Sequence, residues 1–426
     1  MVKWQPRIRA LQLLSAVVID QILLSAANFF VGFLLIRKTS DSDYGAFVLV
    51  QSAVLLLVAA QSAWLSGPLA ILAPKRAPDV KREMIGAVEG AQRRFLRRAV
   101  VVAICVPALG YALKIRDGFT AVVLTVGVLA SWAALQREFL RRVLLIYSRA
   151  NTLLGADALF AVVFVIGTVI AVLVSKQAVV WTVIAMAVAG WCGWSVAHSA
   201  LAKDPGWVFP GTSGVFLREI RPLGVWATVG ALIYWLFSQG YNYVLASRLD
   251  LTAVADVNVA RWVIAPAIVF TVGMESLLYP KAAGWLASIG IRRLLERLGV
   301  LFVGIAVLET GYFLLVWIFR DWVSHDVLHK IIHDRDRLLI LWAGIALIGL
   351  LRTVFQSALL ALEPLKLMAG ISGVGAAVAL GLMWFGITRW GPAGALIGQM
   401  AGDVAVIIGY TILLRHMWLR GEPRRQ

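Results

Sequence analysis

The stretch ALQLLSAVVIDQILLSAANFFVGFLLI, residues Ala10–Ile36, holds no Lys or Arg and a single acid, Asp20. A helix of about 20 mainly apolar residues crosses the roughly 30 Å of a bilayer core. The apolar region of a cleaved signal peptide is shorter, about 7–15 residues, so Lys3, Arg7 and Arg9 ahead of this stretch do not make it one. It is expected to be a retained first membrane span. Eleven further stretches read the same way. In the first half they are Tyr44–Ala73, Ala99–Leu113, Phe119–Leu140, Leu153–Val174 and Ala178–Leu201. In the second half they are Leu223–Ala246, Val254–Tyr279, Leu298–Phe319, Leu338–Leu362, Leu367–Ile387 and Gly394–Met417.

Composition agrees. Of 426 residues, 61% are hydrophobic and 15% charged, and the mean hydropathy is +0.84. Soluble domains average about 45–50% and about 25%, so a soluble, disordered or collagen-like chain is excluded. Alternating ten-residue segments, the mark of a membrane β-barrel, are absent. The predicted fold class is an all-α polytopic membrane protein of twelve transmembrane helices. Cys105 and Cys192 both fall in apolar runs and imply no disulfide framework.

The net charge of +17 needs a separate account. Counted by side, 27 of the 40 Lys and Arg residues lie with the termini, 11 lie opposite, and Arg261 and Arg352 fall inside spans. Cytoplasmic loops carry such an excess, which predicts a multi-pass protein with both termini cytoplasmic. The cations are then topogenic and contact anionic lipids at the cytoplasmic face, with no nucleic-acid partner.

The polar break with Asp204-Pro205-Gly206 and Pro210-Gly211 divides the spans six and six. The predicted organisation is an N-terminal lobe over 1–201, a cytoplasmic linker over 202–222 and a C-terminal lobe over 223–426. Ala73-Pro74-Lys75 closing span 2 has a counterpart in Tyr279-Pro280-Lys281 closing span 8. Ser25 and Asn28 are echoed by Ser238 and Asn242, as expected of parallel repeats.

Neither a P-loop nor a hydrolase or metalloprotease motif occurs, so the chain is read as a non-enzyme without ATPase chemistry. Charges inside spans cost at least about 2.5–3.5 kcal/mol each and point to function or to a partner. Arg261 and Arg352 offer planar forks suited to phosphate and are candidate pyrophosphate ligands. The alternative for each is an interhelical ion pair, Arg352 with Glu309 or Arg261 with Asp256. Asp20, Asn28, Glu309 and Asp403 are candidates for H⁺ or Na⁺ coupling, with no other cofactor expected; helix-packing hydrogen bonds are the alternative. Asp157 and Glu275 are read as interfacial. His325, His329 and His333 recur at i, i+4 and i+8, either a metal-binding face or, preferably, a solvated interfacial helix.

Asp20 through Phe30, Asp43-Tyr44-Gly45-Ala46-Phe47, Arg137-Glu138-Phe139-Leu140-Arg141-Arg142 and Ala260-Arg261-Trp262 with Pro266 together resemble polysaccharide-type flippases. These belong to the multidrug/oligosaccharidyl-lipid/polysaccharide exporter superfamily. The resemblance implies two six-helix lobes around a central cavity. It further implies movement of an undecaprenyl-pyrophosphate-linked oligosaccharide across a bacterial inner membrane by alternating access, for O-antigen or exopolysaccharide synthesis. The implied partners are the polyprenyl-pyrophosphate-linked sugar and polysaccharide polymerase or glycosyltransferases. Trp64, Tyr234, Trp235, Tyr241 and Tyr243 would then stack on sugars. Ala255-Asp256-Val257-Asn258 departs from the family pattern. A cation-coupled multidrug exporter and a membrane-embedded glycan polymerase or transferase are the alternatives.

Overall fold

A computed structural model describes residues 5–114, 118–203, 214–362 and 364–419, and these contain helices, turns and no strand. Twelve helical segments are long and apolar enough to cross a membrane. The helices are α1 (Gln5–Lys38), α2 (Asp41–Gln61), α3 (Gly67–Leu72), α4 (Pro78–Ala112), α5 (Gly118–Ile146), α6 (Ala150–Val174), α7 (Ala178–Ala202), α8 (Gly214–Arg248), α9 (Leu251–Ile318), α10 (Arg320–Trp322), α11 (Arg335–Leu362), α12 (Leu365–Trp390) and α13 (Pro392–Leu419). The chain forms two compact units, Met1–Leu232 and Ile233–Gln426. Of the linker expected over 202–222, residues 204–213 lie outside the described residues, and 214–222 already belong to α8.

Local chemistry sets the starts and bends. Ser40 caps α2 by accepting from the Asp43 N–H at 3.1 Å, and Asp250 caps α9 by accepting from Ala253 N–H at 2.8 Å. Each satisfies an orphan donor of a first turn. A π-helical turn over Ser62–Ser66 precedes Pro68, which has no N–H to continue the α-helical ladder. Two boundaries differ from expectation. The basic stretch before span 3 is helical from Pro78, because its apolar residues recur at helical spacing and Met84, Ile85 and Val88 are buried. Spans 8 and 9 run through one long helix, α9, broken only at Gly290.

In the N-terminal unit α1 packs on α6, α5 and α6 pack on α7, and α2 and α4 pack on α5. Its core holds Leu69, Met84, Phe139, Leu144 and Leu153. In the C-terminal unit α11 packs on α9 and α13, and α12 packs on α13. Large apolar side chains face outward, among them Val106 on α4, Leu173 on α6, Val307 on α9 and Phe385 on α12. Hydrocarbon, not water, suits that surface. Cys105 is exposed on it, not buried as its apolar run suggests.

The α12–α13 seam is made of small residues, Gly386 and Ala379 facing Gly394, Gly398 and Gly402 at four-residue spacing. A Cβ at Gly394 would overlap the Gly386 backbone and stand 2.6 Å from Ile387 N. Gly394→Ala is therefore expected to cost about 1–3 kcal/mol by forcing the helices apart. Gly381→Ala, whose Cβ meets nothing within 4 Å, should be neutral or slightly stabilising. Thermal unfolding of the purified variants separates the two outcomes.

Candidate functional site

Each unit buries polar residues that its own helices bring together. In the N-terminal unit the centre is Arg141 of α5. Its Nε donates to Asp157 Oδ2 at 2.6 Å, its Nη1 to Glu138 Oε2 at 2.7 Å and its Nη2 to Asp20 Oδ2 at 2.9 Å. Arg137, one turn earlier, donates to Asp157 Oδ1 from Nε at 3.0 Å and Nη2 at 2.5 Å, with its guanidinium 3.7 Å from the Phe160 ring centroid. Arg142 Nε reaches Glu138 Oε1 at 3.2 Å. Three carboxylates thus meet three guanidiniums across α1, α5 and α6. Asp157 is fully buried and Asp20 is 2% exposed.

Asp157, read from the sequence as interfacial, is packed between helices and paired with two arginines. Arg137 and Arg141 count among the cations after span 4 in the sequence, yet α5 runs on to Ile146 and carries both into the packed interior. Their spacing of four puts them on one helix face. That spacing, with an acid early in the next span, is the signal that marks them. Asn28 is not part of this cluster. It is exposed and donates to Leu24 O of its own helix at 2.9 Å, because eight residues turn it about 80° from Asp20.

In the C-terminal unit Arg261 of α9 donates from Nη1 to Tyr241 Oη at 3.0 Å and to Gln239 Oε1 at 3.3 Å. Tyr241 donates to Asn258 Oδ1 at 3.0 Å, Asn258 to Asn242 Oδ1 at 2.6 Å, and Asn242 to Gln239 Oε1 at 3.2 Å. Trp342 lies beneath the guanidinium at 5.4 Å and is fixed by donating to Val257 O at 2.9 Å. Every polar neighbour of Arg261 is neutral, and among the described residues it makes no ion pair. The expected alternative partner, Asp256, instead accepts from His333, at 3.1 Å from Nδ1.

Arg352 of α11 is placed differently. Its Nε stands 3.3 Å from Asp403 Oδ1 of α13, and its guanidinium lies 5.3 Å from the Phe237 ring. The pairing is with Asp403, not Glu309, which accepts from Thr271 Oγ1 at 2.7 Å. Trp342 and Arg352 are ten residues apart on α11, a rise of about 15 Å. Among the described residues the two arginines have different partners, Arg261 the neutral side chains around Trp342 and Arg352 the carboxylate of Asp403. Asp20 Oδ1, Glu309 Oε2 and Asp403 Oδ1 are buried and accept no hydrogen bond among the described residues. Asp20 Oδ1 and Glu309 Oε2 thus stand without a donor, whereas Asp403 Oδ1 is the oxygen that faces Arg352 Nε.

Other expectations are corrected. His325 lies in a π-helical turn, and His329 adopts a left-handed conformation at φ 53° that ends it, so the three histidines do not share one helical face. No cluster of three His, Cys, Asp or Glu residues suited to a metal occurs among the described residues. Tyr241 is fully buried and hydrogen-bonded, so it offers no face to a sugar, whereas Tyr234 and Trp64 are exposed. The side chains of Glu275, Tyr279 and Pro280 lie outside the described residues.

Fold and interior chemistry together define a twelve-helix membrane protein of two units, each with a buried charged centre. No protein-family model matches the sequence, and no curated protein matches it in sequence. Among solved structures it is similar to an inward-facing multidrug resistance MATE family transporter of the MOP superfamily, with TM-score 0.74 and 14% identity over 94% of this chain and 96% of that one. The outward-facing conformation of such a transporter gives 0.63 and 15%, over 98% and 97%. The lipid II flippase MurJ in an inward closed conformation gives 0.73 and 11%, over 95% and 87%. At these identities the likeness is one of fold.

Proposed function

We propose that this chain is a transporter that moves an anionic lipid-linked saccharide across the membrane by alternating access, with Arg261 holding the diphosphate. The supporting observation is the Arg261 guanidinium itself. It is pinned by a phenol and an amide on one nitrogen, backed by an indole face, and among the described residues has no carboxylate partner. Such a group is poised for an anion, since charge-assisted bonds to phosphate are about twice as strong as neutral ones. Arg352, neutralised by Asp403, is assigned a lesser part in the same pyrophosphate binding. The cargo class is an undecaprenyl-pyrophosphate-linked oligosaccharide destined for surface polysaccharide, in a bacterial inner membrane with both termini cytoplasmic. Polymerase or glycosyltransferase partners go with that cargo.

Coupling to H⁺ or Na⁺ is assigned to Asp20 and Glu309, each with a buried carboxylate oxygen that accepts no hydrogen bond among the described residues, and to Asp403, whose carboxylate meets Arg352. Asn28, bound to its own helix, is the weakest member of that set. The fold likeness to multidrug MATE transporters favours a second reading, cation-coupled drug export. An uncompensated arginine repels cationic drugs, which speaks against it.

Proteoliposomes carrying the purified protein decide between them. Fluorescent polyprenyl-diphosphate saccharide should be flipped, and cationic dye should not be extruded. Dye efflux with no lipid movement would replace the first reading by the second. Tyr241→Phe removes one of the two acceptors that hold Arg261 and should weaken lipid-diphosphate binding about three- to tenfold, the equivalent of a single hydrogen bond. The polar head of Tyr241 touches Asn258 as well, so thermal unfolding should be measured in parallel.

A further inference from the structure

Gly290 interrupts α9 at φ 75° and ψ 171°, a conformation that glycine alone adopts without strain. The chain re-enters the helix with Ile291, Leu294 and Leu298 turned inward and Arg292, Arg293, Glu296 and Arg297 turned outward. Arg297 reaches back across the break, its guanidinium 5.4 Å from the Trp285 ring centroid. Trp285, Arg293, Glu296, Arg297, Val300 and Leu301 line a cavity of about 510 Å³.

The charges in this cavity do not balance. Glu296 is taken up by Arg292 at 3.3 Å. Arg293 and Arg297, one turn apart on one face, make no ion pair among the described residues. Two guanidiniums thus face one concavity whose single lining acid, Glu296, is paired with Arg292. Its far wall is apolar, Val300 being 73% exposed, and the same helix continues as an apolar face through Val303 and Val307. Along α9 the indole is followed by the two cationic forks and these by an exposed apolar face, and a cationic patch bordering a hydrocarbon-facing surface suits a lipid with a phosphate head.

We propose that Trp285, Arg293 and Arg297 form a binding site for a membrane lipid with a phosphomonoester headgroup. A phosphomonoester carries about 1.5–2 negative charges near neutral pH, against one for a phosphodiester. Two unpaired arginines match the monoester. Arg297 is pre-ordered by Trp285, which limits the side-chain entropy lost on binding. The site spans the Gly290 break of α9, shares no residue with the surroundings of Arg261, and does not depend on which cargo the protein carries.

Native mass spectrometry of the full-length protein in detergent tests this. Phosphatidic acid, phosphatidylglycerol and phosphatidylcholine are titrated separately, and glycerol 3-phosphate is added as a soluble competitor. Phosphatidic acid should bind at least about fivefold more tightly than phosphatidylglycerol, with phosphatidylcholine weakest. The double substitution R293A/R297A should weaken phosphatidic acid binding about tenfold or more, and R293K/R297K should recover only part of it. A control pair on α4, R97A/R98A, removes the same charge elsewhere and should weaken phosphatidic acid binding by less than about twofold. Equal loss in both double variants would mean diffuse attraction and overturn the site. Displacement by glycerol 3-phosphate at concentrations comparable to the lipid would overturn the lipid assignment. Native retention of the R293A/R297A variant on size exclusion guards against misfolding, and W285A offers a milder second variant expected to lose about threefold.

Discussion

Arg141→Ala is expected to lower the stability of the N-terminal unit by about 3–5 kcal/mol, the cost of stranding buried partners of an ion pair. The effect falls unevenly. Glu138 keeps Arg142 and Asp157 keeps Arg137, so both retain a cation. Asp20, its side chain 4% exposed, loses the guanidinium that binds it. Thermal unfolding in lipid nanodiscs should show a drop of roughly 6–20 °C, taking about 2–4 °C per kcal/mol for a unit of this size. Arg142→Ala is the internal control. Its side chain is 48% exposed and its one ion pair among the described residues is with Glu138, so its loss should cost about 1 kcal/mol or less. The double variant D20N/R141A should be more stable than the sum of the two single losses, because the stranded carboxylate is gone, with a coupling of about 1–3 kcal/mol. Equal melting shifts for Arg141→Ala and Arg142→Ala would show that the cluster is not an energetic unit.

Hydropathy makes the helices of this protein legible, because a bilayer demands about 20 apolar residues in succession and tolerates few charges among them. The same rule picks out Asp20, Arg261, Glu309, Arg352 and Asp403 as exceptions. Their partners are a different matter. Arg352 meets Asp403 rather than Glu309 because α11 packs on α13 as well as on α9, and linear sequence does not say which neighbour faces a given residue. Arg137 and Arg141 are hidden for another reason. They stand where an apolar run gives way to cations, which usually means a loop at the membrane surface. Here the helix simply continues, and Asp157 waits on the next one. The histidine triad illustrates the reverse error, a helical spacing without a helix, since His329 turns left-handed and closes the segment. The stretch around Arg292–Arg297 reads as a polar loop by composition and is helical because Ile291, Leu294 and Leu298 give it a buried side.

Arg261→Ala should weaken recognition of a lipid diphosphate strongly with little loss of stability, the opposite of Arg141→Ala. The Arg261 side chain is only partly buried, and its neighbours Gln239, Asn242, Asn258 and Tyr241 satisfy one another without it. Removing it strands no charge, so the melting temperature should move by no more than a few degrees. Binding should respond strongly. A charge-assisted bond to phosphate contributes about 1.5–3 kcal/mol, so its loss weakens affinity about 10- to 150-fold. Arg261→Lys keeps the charge, loses the planar fork and the stacking on Trp342, and should fall between the two. Binding of a fluorescent polyprenyl-diphosphate saccharide to the purified protein measures all three. A matched polyprenyl alcohol without phosphate should bind the wild type and Arg261→Ala equally, because its apolar chain does not engage the guanidinium. If Arg261→Ala weakens both ligands alike, the arginine shapes the fold of its surroundings. If it weakens neither, the diphosphate is held elsewhere and the uncompensated charge of Arg261 serves another anion.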